Sequence, residues 1–378
     1  MASGSEDWEG AVESRWSPEG VTASRSQFSG AASYNRAMTW RRPVAVMASL
    51  ALLGITTSDL ARTLHDTAAS YYAKVAQVAR VTGRDTTMDY YQRLVDDSDL
   101  LKAPLPDGYT VEMWQHSVEG VIGLDVSLVN QLMSQSYQPM ASIRGLGETL
   151  IQSSKDGTMQ PVAAYVPTTY VPGRKAPLIV FLHGHPQSET SLIAPQFIDD
   201  LAEKTGTIIV APYGRGYYDF QGSESDVYDA LAAAEHAFAV DPRKRYLVGY
   251  SMGGFSVFLV GPMHPNDWSA VMSIAGALLG SRSHLVTAMM PSTPFYILTG
   301  SRDESIPTQY PTTTAVFLRN AGIPVTFYSD PNATHRLFTL RTIFEQAWND
   351  MEAGIVRTPW SLTATSPLIS VPPTTFKT

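Results

Sequence analysis

Six short and almost wholly apolar stretches, "PLIVFLHG", "GTIIVAPY", "RYLVGYS", "SAVMSIAG", "PFYILTGS" and "PVTFYSD", recur between residues 177 and 330. A strand that is apolar at successive positions has no face to give to water, so it belongs in a sheet covered on both sides. Helical patterns over 192–204, 226–239, 313–320 and 337–352 supply the cover, and the alternation predicts an α/β fold with a mostly parallel sheet. Ahead of these runs, "ETLIQSSKDGTMQPVAAYVP" reads as two strands joined at Lys155, Asp156 and Gly157, because Asp-Gly tolerates the backbone angles of a tight turn. That hairpin predicts an antiparallel edge.

The rest of the chain divides by composition. Residues 1–57 read as a poorly ordered leader, since 1–37 are rich in Ser, Ala and Gly without an apolar period. Arg41 and Arg42 then precede an apolar stretch from Val44 to Ile55, too short for an easy bilayer span but matching the apolar part of a signal peptide in length and flank. Its distance from Met1 and the lack of a clear cleavage site weaken that reading, and a start at Met38 would strengthen it. An exported or membrane-proximal leader and a buried helix of an N-terminal bundle both stay open, with the first preferred. Residues 58–143 predict a helical accessory region: Ser58 or Asp59 can cap a helix ending at Gly83, "TTMDYYQRLVDDSDLL" repeats the style, and "VSLVNQLMSQSY" reads as a third helix. Its Met and Tyr stripes read as core. A catalytic domain is expected over 144–355 and a Pro/Thr-rich tail, surface-draped or mobile, over 356–378.

Charge excludes one class of partner. With 27 basic against 35 acidic residues and a formal net charge of -8, the surface offers no basic face to nucleic acid. The chain has no cysteine, so covalent catalysis needs another nucleophile.

One candidate stands at the end of "RYLVGYS". Gly249-Tyr250-Ser251-Met252-Gly253 is G-x-S-x-G between a predicted strand and a predicted helix. Such a turn lifts the Ser251 hydroxyl clear of the sheet and needs small neighbours two positions away. A serine hydroxyl is a weak nucleophile, so this reading requires a histidine base oriented by a carboxylate, both from later strand ends. "LTGSRDESIP" supplies Asp303 and "SDPNATHRLF" supplies His335, in the order Ser, Asp, His. Glu304 and Asp330 compete for the acid's role. His65, His116, His236, His264 and His284 read as surface or packing residues. For the oxyanion, the backbone N–H of Met252 at the helix start pairs with that of His185 in "FLHGHPQ", where His183 braces the loop. His183 and His185 also have the spacing of a metal pair, but no third ligand accompanies them, and neither metal nor cofactor is expected. Tyr213, Tyr217, Tyr218 and Phe220 follow a strand and either line the cleft or pack. Tyr217, Tyr218 and Tyr250 are the substrate-binding candidates.

Residues 145–354 thereby resemble the α/β-hydrolase superfamily, and "FLHGHPQ", "GYSMGG", "LTGSRDESIP" and "ATHRLF" look like the group of esterase D, feruloyl esterases and polyhydroxybutyrate depolymerases, related to prolyl oligopeptidase catalytic domains. The resemblance implies acyl transfer through Ser251, Asp303 and His335, with oxyanion donors at Met252 and His185. It leaves residues 1–140 without a counterpart. A serine carboxylic-ester hydrolase is expected. The short connection between "SAVMSIAG" and "TPFYILTG" implies an open cleft for small, aromatic or polymeric esters. A peptidase or acyltransferase would use the same three side chains, and a binding protein on an inactive hydrolase fold is the non-enzymatic alternative. A dehalogenase would want a carboxylate where Ser251 stands.

Overall fold

The computed structural model describes residues 105–372, apart from 107, 186, 217, 219–222, 358–360 and 365, together with Asp59, Arg62, Asp66 and Asp97. The leader expected over 1–57 and most of the first two expected helices lie outside the described residues, as do Tyr217 and Phe220.

The apolar runs become the middle of one eight-stranded sheet. In chain order the strands are β1 (Gly145–Gln152), β2 (Met159–Val166), β3 (Ala176–Leu182), β4 (Ile208–Pro212), β5 (Val240–Tyr250), β6 (Ala270–Ile274), β7 (Phe295–Gly300) and β8 (Val325–Asp330). They lie in the spatial order β1-β2-β4-β3-β5-β6-β7-β8. β2 runs against both neighbours, and every pairing from β4 through β8 is parallel. The hairpin pairs Gln152 with Met159, and Gly157 turns it at φ 73°. This is the α/β-hydrolase arrangement.

The helices are α1 (Val111–Ser134), α2 (Glu189–Ile193), α3 (Gln196–Thr205), α4 (Glu224–Ala237), α5 (Met252–Met263), α6 (Ser283–Met289), α7 (Gln309–Asn320) and α8 (Arg341–Ala353). Successive strand residues point to opposite faces. Ile179 and Phe181 of β3 therefore join one core layer, with Val121 and Leu124 of α1, Phe197 and Ile198 of α3 and Phe344 and Trp348 of α8. Leu178, Val180 and Leu182 join the other, with Val227 of α4, Val257 and Phe258 of α5 and Leu318 of α7. Trp348, Phe181 and Phe258 are fully enclosed, and burying side chains of this kind stabilises by about 1.5–3 kcal/mol each.

Several boundaries differ from expectation for local reasons. The helix expected over 192–204 is two helices, because Pro195 between α2 and α3 has no N–H and disfavours a helical residue before it. The helix expected near residue 126 begins at Val111, where the Thr110 hydroxyl accepts the Met113 N–H at 3.2 Å, and it runs for 24 residues. α6, which no pattern had suggested, sits between β6 and β7 and sends Val286 into the core.

Two described residues of the tail, Leu362 and Ile369, are hydrogen-bonded to the sheet region. The Arg319 guanidinium donates to the Leu362 carbonyl at 3.1 Å, and the Gly280 N–H donates to the Ile369 carbonyl at 2.8 Å. Ile369 packs on a small cluster of Phe255, Ala277, Leu279 and Ile306.

Candidate active site

β5 ends at Tyr250 and α5 begins at Met252, leaving Ser251 alone to make the turn between them. Its backbone sits at φ 52°, ψ -113°, which costs a non-glycine residue about 1–3 kcal/mol and persists only where neighbours impose it. The Ser251 N–H donates to the Ile274 carbonyl at 2.8 Å, and the Ser251 carbonyl accepts the Phe255 N–H at 3.1 Å. The flanking glycines are required by space. A Cβ on Gly249 would stand 2.1 Å from the Gly253 carbonyl oxygen, and one on Gly253 would stand 2.3 Å from that of Leu182.

Two hydrogen bonds in series leave this turn. The Ser251 hydroxyl lies 2.8 Å from Nε2 of His335, and Nδ1 of His335 lies 2.8 Å from Oδ2 of Asp303. An ionised carboxylate only accepts, so Asp303 fixes the proton on Nδ1 and leaves the Nε2 lone pair facing the hydroxyl. The other Asp303 oxygen accepts backbone N–H groups from Ser305 at 2.9 Å and Ile306 at 2.7 Å, which holds the carboxylate in place within a loop where its side chain is fully buried. Of the competing acids, Glu304 is exposed, and Asp330 spends Oδ1 on the N–H groups of Asn332 and Ala333. Ser251 is 1% exposed and the His335 side chain 21%, so the imidazole is the more accessible of the two.

The loop after β3 is braced through His183. Its N–H donates to the Tyr218 hydroxyl at 2.9 Å, its carbonyl accepts the Gly253 N–H at 3.0 Å, and its ring nitrogens face the carbonyls of Gly184 and Tyr213, each at 2.9 Å. His185 is half-buried, and burial pushes its imidazole pKa down, favouring the neutral ring. Met252 occupies the first position of α5, where a backbone N–H has no acceptor within the helix.

Two of the substrate-binding candidates, Tyr218 and Tyr250, are buried and hydrogen-bonded within the protein. Tyr218 is fully enclosed, and its hydroxyl takes the His183 N–H while donating to the Pro212 carbonyl at 2.8 Å, so it holds the loop. Tyr250 is 5% exposed, and its hydroxyl donates to the His335 carbonyl at 2.6 Å. Burial raises its hydroxyl pKa far above the usual value, keeping it a donor. It therefore ties the strand carrying Ser251 to the loop carrying His335. Neither role has a sequence signal, because each depends on contacts formed by distant segments. Among the described residues no cluster of three or more His, Asp or Glu side chains could hold a metal ion.

The Esterase family model matches residues 153–290, a little over a third of the chain, which includes Ser251 but neither Asp303 nor His335. No curated protein matches. Among solved structures the chain is similar to a thermostable esterase at 16% identity and a TM-score of 0.47, over 56% of this chain and 63% of that one, so it spans less than two thirds of that protein's length. A ferulic acid esterase from Anaeromyces mucronatus aligns at 17% identity and a TM-score of 0.46, over 55% of this chain and 91% of that one. An S-formylglutathione hydrolase from Agrobacterium tumefaciens aligns at 16% and 0.45, over 58% and 98%. At those values the chemistry has to be argued from this chain's own residues. Its strand order, with a strained serine closing β5, is that of an esterase-like fold of the α/β-hydrolase superfamily.

Proposed function

We propose that this chain is a serine carboxylic-ester hydrolase in which Ser251 is the nucleophile, His335 the general base and acid, and Asp303 the group that orients it. The observation that carries the reading is the pair of 2.8 Å hydrogen bonds in series from Ser251 through His335 to Asp303. As the Ser251 oxygen attacks the ester carbonyl, its proton passes to Nε2 of His335, and the imidazolium formed is stabilised by Asp303. The carbonyl π pair moves onto oxygen, where the N–H groups of Met252 and His185 hold it. When that carbonyl reforms, the bond to the alkoxy group breaks and the alcohol leaves with the proton from Nε2. Water, deprotonated by the same nitrogen, then cleaves the acyl-enzyme and regenerates Ser251.

The substrate is an ester that enters an open cleft beside the imidazole, in the small, aromatic or polymeric class. This is supported by the path between β6 and β7, where Val286 and Met290 are anchored in the core, so that segment does not form a cap over the site. A panel of p-nitrophenyl esters beside a proline amide, with fluorophosphonate labelling and intact-mass measurement, tests the assignment. Ester turnover and a single adduct at Ser251 are expected, and Ser251→Ala should lose both, with kcat down by about 10⁶-fold. Preference for the amide would move the assignment to a peptidase. Absence of any adduct on the folded protein would overturn it.

A further inference from the structure

The two loops that carry the proposed chemistry are gripped from outside the sheet region by residues that precede it. On the His335 loop, Phe338 is half-buried three positions beyond the imidazole. Its ring lies 4.3 Å, centroid to centroid, from that of Tyr109, with Phe197 edge-on at 5.7 Å and the Arg341 guanidinium 5.1 Å from the ring centre. Tyr109 is backed in turn by Trp114 of α1, edge-on at 5.7 Å. The backbone just before it closes in as well: Gly108 has φ 86°, and a Cβ there would stand 2.8 Å from the Phe338 ring. Tyr109 is half-buried there, and that burial raises its hydroxyl pKa to about 12.

The His185 loop has an equivalent contact. Ser188, three positions beyond His185, donates its hydroxyl to the Asp97 carboxylate at 2.9 Å, and the Thr190 hydroxyl reaches the same oxygen at 3.5 Å. Asp97 is 5% exposed, and Ser188 also accepts the Ser191 N–H at 3.2 Å as the cap of α2. His183 fixes one end of this loop and Asp97 fixes the other.

We propose that Asp97 and Tyr109 are positioning residues, one holding the loop of the His185 backbone N–H and the other the loop of His335, so that these two residues ahead of the sheet are working parts of the site. The proposal rests on the hydrolase reading for its consequence in rate, but not for its consequence in loop order. A contact that only added stability would protect the whole molecule. One that positions a reacting group changes kcat, because displacing that group by a fraction of an ångström raises the barrier without weakening substrate binding.

The test uses the full chain and four variants, Asp97→Ala, Asp97→Asn, Tyr109→Ala and Tyr109→Phe. With p-nitrophenyl acetate, each alanine variant should lose about tenfold in kcat while KM stays within about twofold, and Tyr109→Phe, which keeps the ring, should stay near the parent. Amide hydrogen exchange should quicken over residues 183–190 in Asp97→Ala and over 333–340 in Tyr109→Ala, and little elsewhere. Unchanged kcat in both alanine variants, or faster exchange spread evenly over the molecule, would overturn the proposal. Should the parent hydrolyse no ester, the hydrolase reading fails and the exchange pattern alone decides the brace. If an alanine variant does not fold, Asp97→Asn and Tyr109→Leu are measured in the same way.

Discussion

A single backbone conformation at Ser251 concentrates the chemistry. The strain at φ 52° is maintained because the Ser251 N–H and carbonyl are both hydrogen-bonded, while the two glycines leave room for the backbones that a Cβ would displace. In the proposed reaction Asp303 acts at one remove, through the tautomer of His335. Asp303→Asn, which keeps the shape but presents the wrong donor, should lower kcat on a good ester by about 10⁴-fold with little change in melting temperature. Steady-state rates with a thermal melt on the same preparation check it. The candidate row of Ser251, Asp303 and His335 is legible in the sequence as a juxtaposition, because each stands at the end of an apolar run, where this sheet must place its loops. The hydrogen bonds of Tyr218 and Tyr250 are not legible in the same way. Both also follow strands, but the destinations of their hydroxyls, the Pro212 and His335 carbonyls, lie on segments that the local pattern does not connect to them.

Among the elements, strands were easier to read than helices. Strands buried on both faces announce themselves by unbroken apolar runs, while a helix start depends on a cap or a proline whose effect is local, as at Thr110 and Pro195. α3 also carries an electrostatic cost. Its Asp199 has a buried carboxylate oxygen without a hydrogen-bond partner, and burial, with Asp200 and Glu203 nearby, raises its pKa to about 9. An unfolded aspartate ionises near about 4, so between those values the folded chain holds a proton that the unfolded chain has lost. Stability from this group is therefore full at low pH and declines as pH rises through that window. Asp199→Asn should melt a few degrees higher than the parent at pH 8, with the two converging toward pH 4. Melting curves across that range, with an unchanged gap as the contrary outcome, decide it.

At the scale of the whole molecule, the loops of the site are held from several directions: the Asp97 and Tyr109 contacts precede the sheet, and the Ile369 contact follows it. Ile369 packs with Ile306, whose N–H holds the Asp303 carboxylate at 2.7 Å. Ending the chain at residue 360 should expose that cluster, cost about 1–3 kcal/mol of stability and reduce ester turnover more than the lowered melting point explains. Activity measured well below the melting temperature separates the two effects. The linear distance between the partners matters as well. Ser251 and His335 are 84 positions apart, so during synthesis the strained serine leaves the ribosome long before its base. If His335 is the base proposed above, a nascent chain carries an unactivated alcohol until the residues through His335 have emerged and β8 has docked, and the proposed activity arises only in the finished sheet.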